Sequence, residues 1–201
     1  AVDWVNDLPK GFNVIFAGNI GKAQAIPTIL KAAAQLSAVS DINWIIVGDG
    51  SSKEFLENEI QYRNLKSCVL VLGRKPHHDM PALMSKGDVM LVTLTNEPIF
   101  SLTVPSKIQG YMSSGKPILA CLNGEGARIV EVAGAGLTCG AEDSEALAAR
   151  VLEFYKMTLE QRLEFGTRGH DYFKTHFEEN LIVQKIETAL KDAVSVKAAS
   201  S

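Results

Sequence analysis

Short, strongly apolar runs alternate with longer stretches in which apolar residues recur at helical spacing, almost from one end of the chain to the other. The runs at 13–17, 43–47, 68–72, 89–94, 118–121 and 137–139 predict β-strands. Between them Ala25, Ile26, Ile29, Leu30, Ala33 and Leu36 share a helical face, as do Phe55, Leu56 and Ile60, and then Leu83 with Met84. Strands without a polar face, each followed by a helix, predict an α/β fold with a doubly wound parallel sheet of about six strands. After Asp143 the pattern is purely helical: Leu147, Val151 and Phe154 predict one helix, Leu159 and Leu163 begin a second, and 181–194 a third. The small, polar tail at 195–201 is expected to fray. With 201 residues, no internal repeat and no low-complexity linker, 1–194 is expected to be one domain.

Charge narrows the partners. The net charge of -3, with no run of basic residues, offers no electrostatic footprint for nucleic acid, so small molecules or other proteins are expected. Cys68, Cys121 and Cys139 are odd in number, far apart and embedded in apolar runs. They read as buried free thiols in a reducing compartment. No apolar run approaches the length of a membrane span, and Ala1-Val2-Asp3-Trp4 opens with neither a basic stretch nor an apolar one.

Doubly wound sheets bind ligands at the carboxyl ends of their strands, which directs attention to the loops there. The first is Gly18-Asn19-Ile20-Gly21-Lys22-Ala23-Gln24, whose glycines admit a ligand to the backbone and whose Lys22 is either a phosphate partner or a solvated surface lysine. Gly48-Asp49-Gly50 reads as a tight strand-to-helix turn. Gly73-Arg74-Lys75-Pro76-His77-His78-Asp79 either reads a base through its backbone or starts a helix near Asp79. Adjacent histidines rarely face one ion and no third ligand is evident, so no metal is expected there. The loop at 95–104 is long for an α/β connection and feeds Pro105-Ser106-Lys107, where a helix opens with free N–H groups suited to an anion such as pyrophosphate. Gly110 to Lys116 spells the start of a Walker A motif, yet Pro117 replaces the metal-binding hydroxyl residue and the glycines close a helix rather than follow a strand. Asn123-Gly124-Glu125-Gly126 reads as a turn in which Glu125 is exposed or meets a sugar hydroxyl. No nucleophile–base pair or carboxylate pair is visible in the spacing.

Taken in order, Phe16 to Gln24, Ile46 to Gly50, Gly87 to Val92 and Val104 to Pro117 resemble the C-terminal half of retaining glycosyltransferases of the GT-B fold, family 4. The resemblance runs from about Asp3 to Ala193 and is nearest to bacterial surface-polysaccharide enzymes such as the L-fucosamine transferases. It implies a Rossmann-like domain binding a nucleotide-sugar donor, with UDP and an amino sugar expected. It also implies an acceptor domain on a separate N-terminal half, a lipid-linked sugar acceptor, no metal, and a cytoplasmic place, free or at the inner membrane face. The chain is then expected to be an excised half whose catalytic base lies elsewhere.

Residue by residue, the resemblance places the pyrophosphate on Ser106 and Lys107 and on the first loop at Gly18, Asn19, Gly21 and Lys22. The base falls to the backbone around Gly73, Arg74 and Lys75, and Leu102, Thr103 and Gln24 become donor-sugar candidates. The family's first-loop Arg and Lys correspond to Asn19 and Gln24, and its E-x7-E carboxylates to Leu102 and Gly110, with Gln109 or Lys107 as substitutes toward the ribose. These replacements keep two rivals open: a binding domain that has lost catalysis, and a nucleotide-sugar 2-epimerase, whose carboxylates find no place here.

Overall fold

In the computed structural model, which describes residues 3–178 and 187, a single six-stranded sheet organises the chain. The strands are β1 (Phe12–Ala17), β2 (Ile42–Val47), β3 (Val69–Gly73), β4 (Val89–Thr93), β5 (Ile118–Cys121) and β6 (Gly136–Cys139). All pair in parallel, in the order β3-β2-β1-β4-β5-β6. This is the doubly wound arrangement the alternating pattern predicts, with helices following the last strand.

Alternation along each strand feeds two cores. Val14, Phe16, Trp44, Ile46 and Leu91 point to one face, where α1 (Ile26–Gln35), α2 (Lys53–Tyr62) and α7 (Ser144–Lys156) cover them. Ile15, Ile45, Met90 and Val92 point to the other, under α3 (Met80–Ser85), α5 (Ser106–Ser113), α6 (Glu125–Val132) and α8 (Leu159–His176). Burial on both sides leaves no place for a polar alternation, which is why the strands read as unbroken apolar runs.

Several local expectations need correction. The stretch after β5 is more than a turn: Gly124, at φ +78°, opens α6, whose mixed Ala-Arg-Ile-Val-Glu-Val sequence disguises a helix with β-branched residues. The connection at 95–104 contains a short helix, α4 (Pro98–Ser101). A helix does open at Asp79, which stands at the N-cap position of α3, but its side chain makes no capping bond and its buried carboxylate accepts the Trp4 indole N–H at 3.0 Å. Leu159 and Leu163 are exposed rather than packed, as is Phe55. Helix α8 instead approaches α5 through Gly166 and Gly169; a Cβ on Gly166 would collide with the carbonyl of Gly115. Apart from residue 187, the expected helix at 181–194 lies outside the described residues, as does the tail at 195–201.

The amino edge of the sheet is locked by one cluster. Asp88 accepts the Asn13 amide at 2.9 Å and Arg162 Nη2 at 3.1 Å, while Arg162 also donates to the carbonyls of Met157 and Phe154 and lies over Phe12. Lys116 also belongs to this edge, donating to the carbonyls of Ser85 and Gly87, which removes it from any phosphate-binding role at the opposite edge. Because Arg162 and Asp88 are mostly shielded, Arg162→Leu is expected to cost about 2–4 kcal/mol in urea denaturation. Glu153→Ala, which breaks the exposed pair with Arg150, should cost less than about 1 kcal/mol.

Candidate functional site

The strand order reverses between β1 and β4, so their connections leave in opposite directions and open a crevice at the carboxyl edge. On the β1 side the loops are fastened to one another. Gly18 N donates to Val47 O at 2.8 Å, Gly48 N to Gly73 O at 2.9 Å, and Ile20 N to Asp49 O at 2.8 Å. Across the crevice Thr93 Oγ1 donates to Gln24 O at 2.6 Å and Thr95 N to Ala23 O at 2.9 Å.

Helix α5 opens at this point. Pro105 precedes it, Ile108 N bonds back to Pro105 O at 2.9 Å, and the amides of Ser106 and Lys107 find no acceptor among the described residues. Lys107 lies across Gly18: a Cβ there would stand 2.5 Å from Lys107 Cε and 3.0 Å from Nζ. The ammonium sits 3.8 Å from the Phe16 ring centroid and donates to Gln24 Oε1 at 2.9 Å. No carboxylate pairs with it among the described residues, and burial alone holds its pKa down to about 8. One turn on, the buried Tyr111 hydroxyl donates to Ala17 O and accepts from Ala17 N, both at 3.3 Å, pinning α5 to the end of β1.

A cleft of about 510 Å³ adjoins this point, lined by Gly18, Asn19, Gly48, Asp49, Arg74 and Lys75 together with Val47, Pro76, His77 and Met80. Several sequence-predicted residues therefore converge. Gly18, Asn19, Arg74 and Lys75 line the cleft, Gly73 precedes it at φ +65°, and Ser106, Lys107 and Gln24 meet at its β4 side. Other candidates sit apart. Lys22 is exposed on a 3-10 turn, Gly21 packs against Asn19, and Gln109 is half-buried on α5. Leu102 and Thr103 are exposed beyond α4. The Lys75 ammonium lies 4.6 Å from the Trp4 ring centroid instead of over the cleft.

The turn reading of Gly48-Asp49-Gly50 gave no role to Asp49, the sole carboxylate lining the cleft among the described residues, which accepts Gly50 N at 2.9 Å. Its position directly after β2 was the available signal. A second feature out of reach of the sequence is a ring of bonds joining three loops. Asn96 N donates to Glu142, Asn123 Nδ2 to Asn96 Oδ1, and Ala141 N to Asn123 Oδ1. Among the described residues no group of three or more His, Cys, Asp or Glu is placed to hold a metal ion, and no helix is long and apolar enough to cross a membrane.

Residues 4–171 match the family of glycosyl transferases group 1. The chain belongs to that family. This glycosyltransferase domain is 30% identical over 192 residues to the Pseudomonas aeruginosa protein described as probable glycosyltransferase WbjE, covering 92% of the chain and 46% of the relative. It is 22% identical over 180 residues to Salmonella typhimurium WcaL, whose name assigns it to colanic acid biosynthesis, covering 89% of the chain and 44% of the relative. The chain thus spans less than half the length of these curated relatives. In fold it superposes on Anabaena Alr3699/HepE crystallised with UDP, at TM-score 0.81 and 20% identity, over 96% of the chain and 53% of that protein. It also superposes on the C-terminal domain of LpcC from Francisella tularensis, at TM-score 0.70 and 18% identity, over 87% and 90%. The glycosyltransferase chain is therefore a GT-B half-domain related to bacterial polysaccharide-biosynthesis transferases.

Two substitutions separate scaffold from charge in this domain. Tyr111→Phe orphans the buried amide and carbonyl of Ala17 and should lower stability by about 1–3 kcal/mol in chemical denaturation. Lys107→Met should not destabilise at neutral pH, because it removes a half-buried charge that no counter-charge meets. With its folded pKa near 8, below the 10.5 of a free lysine, Lys107 holds fewer protons when folded across that window. Its unfavourable contribution is therefore full below pH 8 and relieved above, so the stability difference between Lys107→Met and the parent should narrow as pH rises toward 10.5.

Proposed function

We propose that this chain is the donor-binding domain of a retaining, metal-independent glycosyltransferase of surface-polysaccharide assembly, using a UDP-activated amino sugar of the L-fucosamine type. The domain spans 1–194. The acceptor, a lipid-linked sugar, and the base that activates it belong to an N-terminal half, and the work takes place at the cytoplasmic membrane face. The observation that carries this reading is Lys107: a half-buried cation with only neutral partners, beside the free amides of α5 and an open cleft. A diphosphate supplies the missing negative charge. The amides of Ser106 and Lys107, the α5 dipole and the ammonium would bind the donor and take up charge on the departing diphosphate, which is electrostatic catalysis by groups already in place.

The remaining candidates distribute along the donor. Gly18, Asn19 and Gly21 let its phosphates approach, and Lys22 adds a solvated positive charge. The backbone of Gly73, Arg74 and Lys75 faces the base, with Gln109 toward the nucleoside and Gln24, Leu102 and Thr103 toward the sugar. A carboxylate for the ribose hydroxyls is absent at Leu102 and Gly110, and Asp49 takes that part from the opposite wall. The same two positions favour the rival reading, a nucleotide-sugar-binding domain without turnover. Sugar transfer by the chain joined to its N-terminal half decides between them.

Isothermal titration with UDP and uridine tests the site. Lys107→Met should weaken UDP by about 10-fold or more and leave uridine unchanged, since a hydrogen bond to a charged group is worth about 1.5–3 kcal/mol. Equal effects on both ligands would remove Lys107 from the phosphates. A bound diphosphate raises the lysine's pKa, so near pH 8 UDP binding should take up a proton, seen as a buffer-dependent enthalpy, and affinity should fall as pH rises through 8. Lys107→Met should abolish the uptake.

Asp49 is tested by omitting one oxygen. The parent should prefer UDP over 2′-deoxy-UDP by about 10-fold, and Asp49→Asn should reduce that preference while keeping most of the affinity for 2′-deoxy-UDP. An unchanged preference in Asp49→Asn would assign the ribose to another group.

A further inference from the structure

Far apart in sequence, Cys121 and Cys139 are direct Cα partners in the register of β5 and β6. Neighbouring strands run about 4.8 Å apart, within the Cα separation of about 4.4–6.8 Å that a disulfide spans. Paired residues project to one face, and both cysteines pack in the core under α7. Both thiols are free, and Cys121 Sγ donates to Gly140 O at 3.2 Å, beside Cys139 in the facing register. Cys121 is wholly buried, whereas Cys139 is half-buried at the carboxyl edge, so the pair is one sulfur deep from solvent. Cys68, just before β3 and near the opposite side of the sheet, has no such neighbour.

We propose that Cys121 and Cys139 form a dithiol that a small peroxide converts to an intramolecular disulfide. Cys121 Sγ attacks one peroxide oxygen; the O–O bond breaks and the other oxygen leaves, protonated, as water. This leaves a sulfenic acid on Cys121. Cys139 Sγ then attacks that sulfur, the S–O bond breaks, and the hydroxyl leaves with the Cys139 proton as a second water. Two thiols and one hydrogen peroxide thus give one disulfide and two waters. The order of attack follows the surroundings: the adjacent Cys139 thiol, and after it the nearby backbone of Asp143 and Glu142, lower the pKa of Cys121 despite its burial. Burial and the neighbouring sulfur raise that of Cys139. The oxidant must be small because Cys121 has no exposed surface.

The disulfide would fasten β5 to β6 directly beneath the Asn96, Asn123 and Glu142 ring, and so beside the connection that delivers α5 to the crevice. This sets it apart from incidental oxidation of an exposed thiol.

The test treats the full chain with equimolar hydrogen peroxide, quenches with catalase, blocks free thiols with N-ethylmaleimide and maps peptides without reduction. A linked pair containing Cys121 and Cys139, with Cys68 recovered as its maleimide adduct, is the expected result. Cys139→Ser should instead leave a dimedone-trappable sulfenic acid on Cys121, and Cys121→Ser should give no cross-link. The proposal is overturned if both cysteines are recovered as free thiols or as separate sulfinic acids, or if Cys68 reacts as readily as the pair. Should either variant fail to fold, the map of the parent chain still decides.

Discussion

The carboxyl edge of this molecule depends on Gly18 having no side chain. At φ +140° it turns the chain out of β1 while its amide still bonds to Val47, and the volume a Cβ would fill belongs to Lys107. The constraint propagates outward. Gly48, at φ +147°, lacks a Cβ where the Gly18 carbonyl lies, and its own amide reaches Gly73 at the end of β3. The ends of these strands therefore merge into a floor of backbone, open enough for a ligand and close enough for α5 to lay its first lysine across it.

That lysine is costly to the fold. The half-buried ammonium is stabilised by an aromatic face and an amide oxygen only in part, and its loss of solvent lowers its pKa. The structure holds it there by anchoring its helix on either side: Tyr111 grips both backbone groups of Ala17, and Thr93 fixes the Gln24 carbonyl whose side chain the lysine meets. On the proposed reading, a cation kept in place without its counter-charge is organised for the diphosphate of the donor. The same preorganisation spares a reaction the cost of gathering charge at the moment it is needed.

The strands were legible because burial on both faces leaves an unbroken apolar signature, as at Ile42 to Val47 and Val89 to Thr93. The start of α5 was legible for a local reason, since Pro105 suits a helix opening. Other features depend on long-range geometry. Helix α8 buries glycines because its closest approach is backbone to backbone, so its leucines gave the wrong face. The contact of Cys121 with Cys139 is a matter of register, Asp49 needed the loop after β3 to define its cleft, and Lys107 needed Gly18. Residue types thus pointed to the carboxyl edge, and the distances bring Lys107 across Gly18 there while Lys22 stays exposed.

On the proposed reading, this site differs from its family in where charge sits. The first loop carries Asn19 and Gln24 where the resemblance places cations, and α5 carries Gly110 where it places a carboxylate. Space is available at Gly110, where an added Cβ would meet nothing within 4 Å, so steric crowding does not explain the glycine. The positive charge has moved onto α5 as Lys107 and the negative charge onto the β2 loop as Asp49, on opposite sides of Gly18. A carboxylate one turn beyond Lys107 would sit beside the ammonium and favour pairing with it over pairing with a diphosphate. The glycine is then consistent with the lysine: once the cation is on α5, leaving its neighbour uncharged keeps it available.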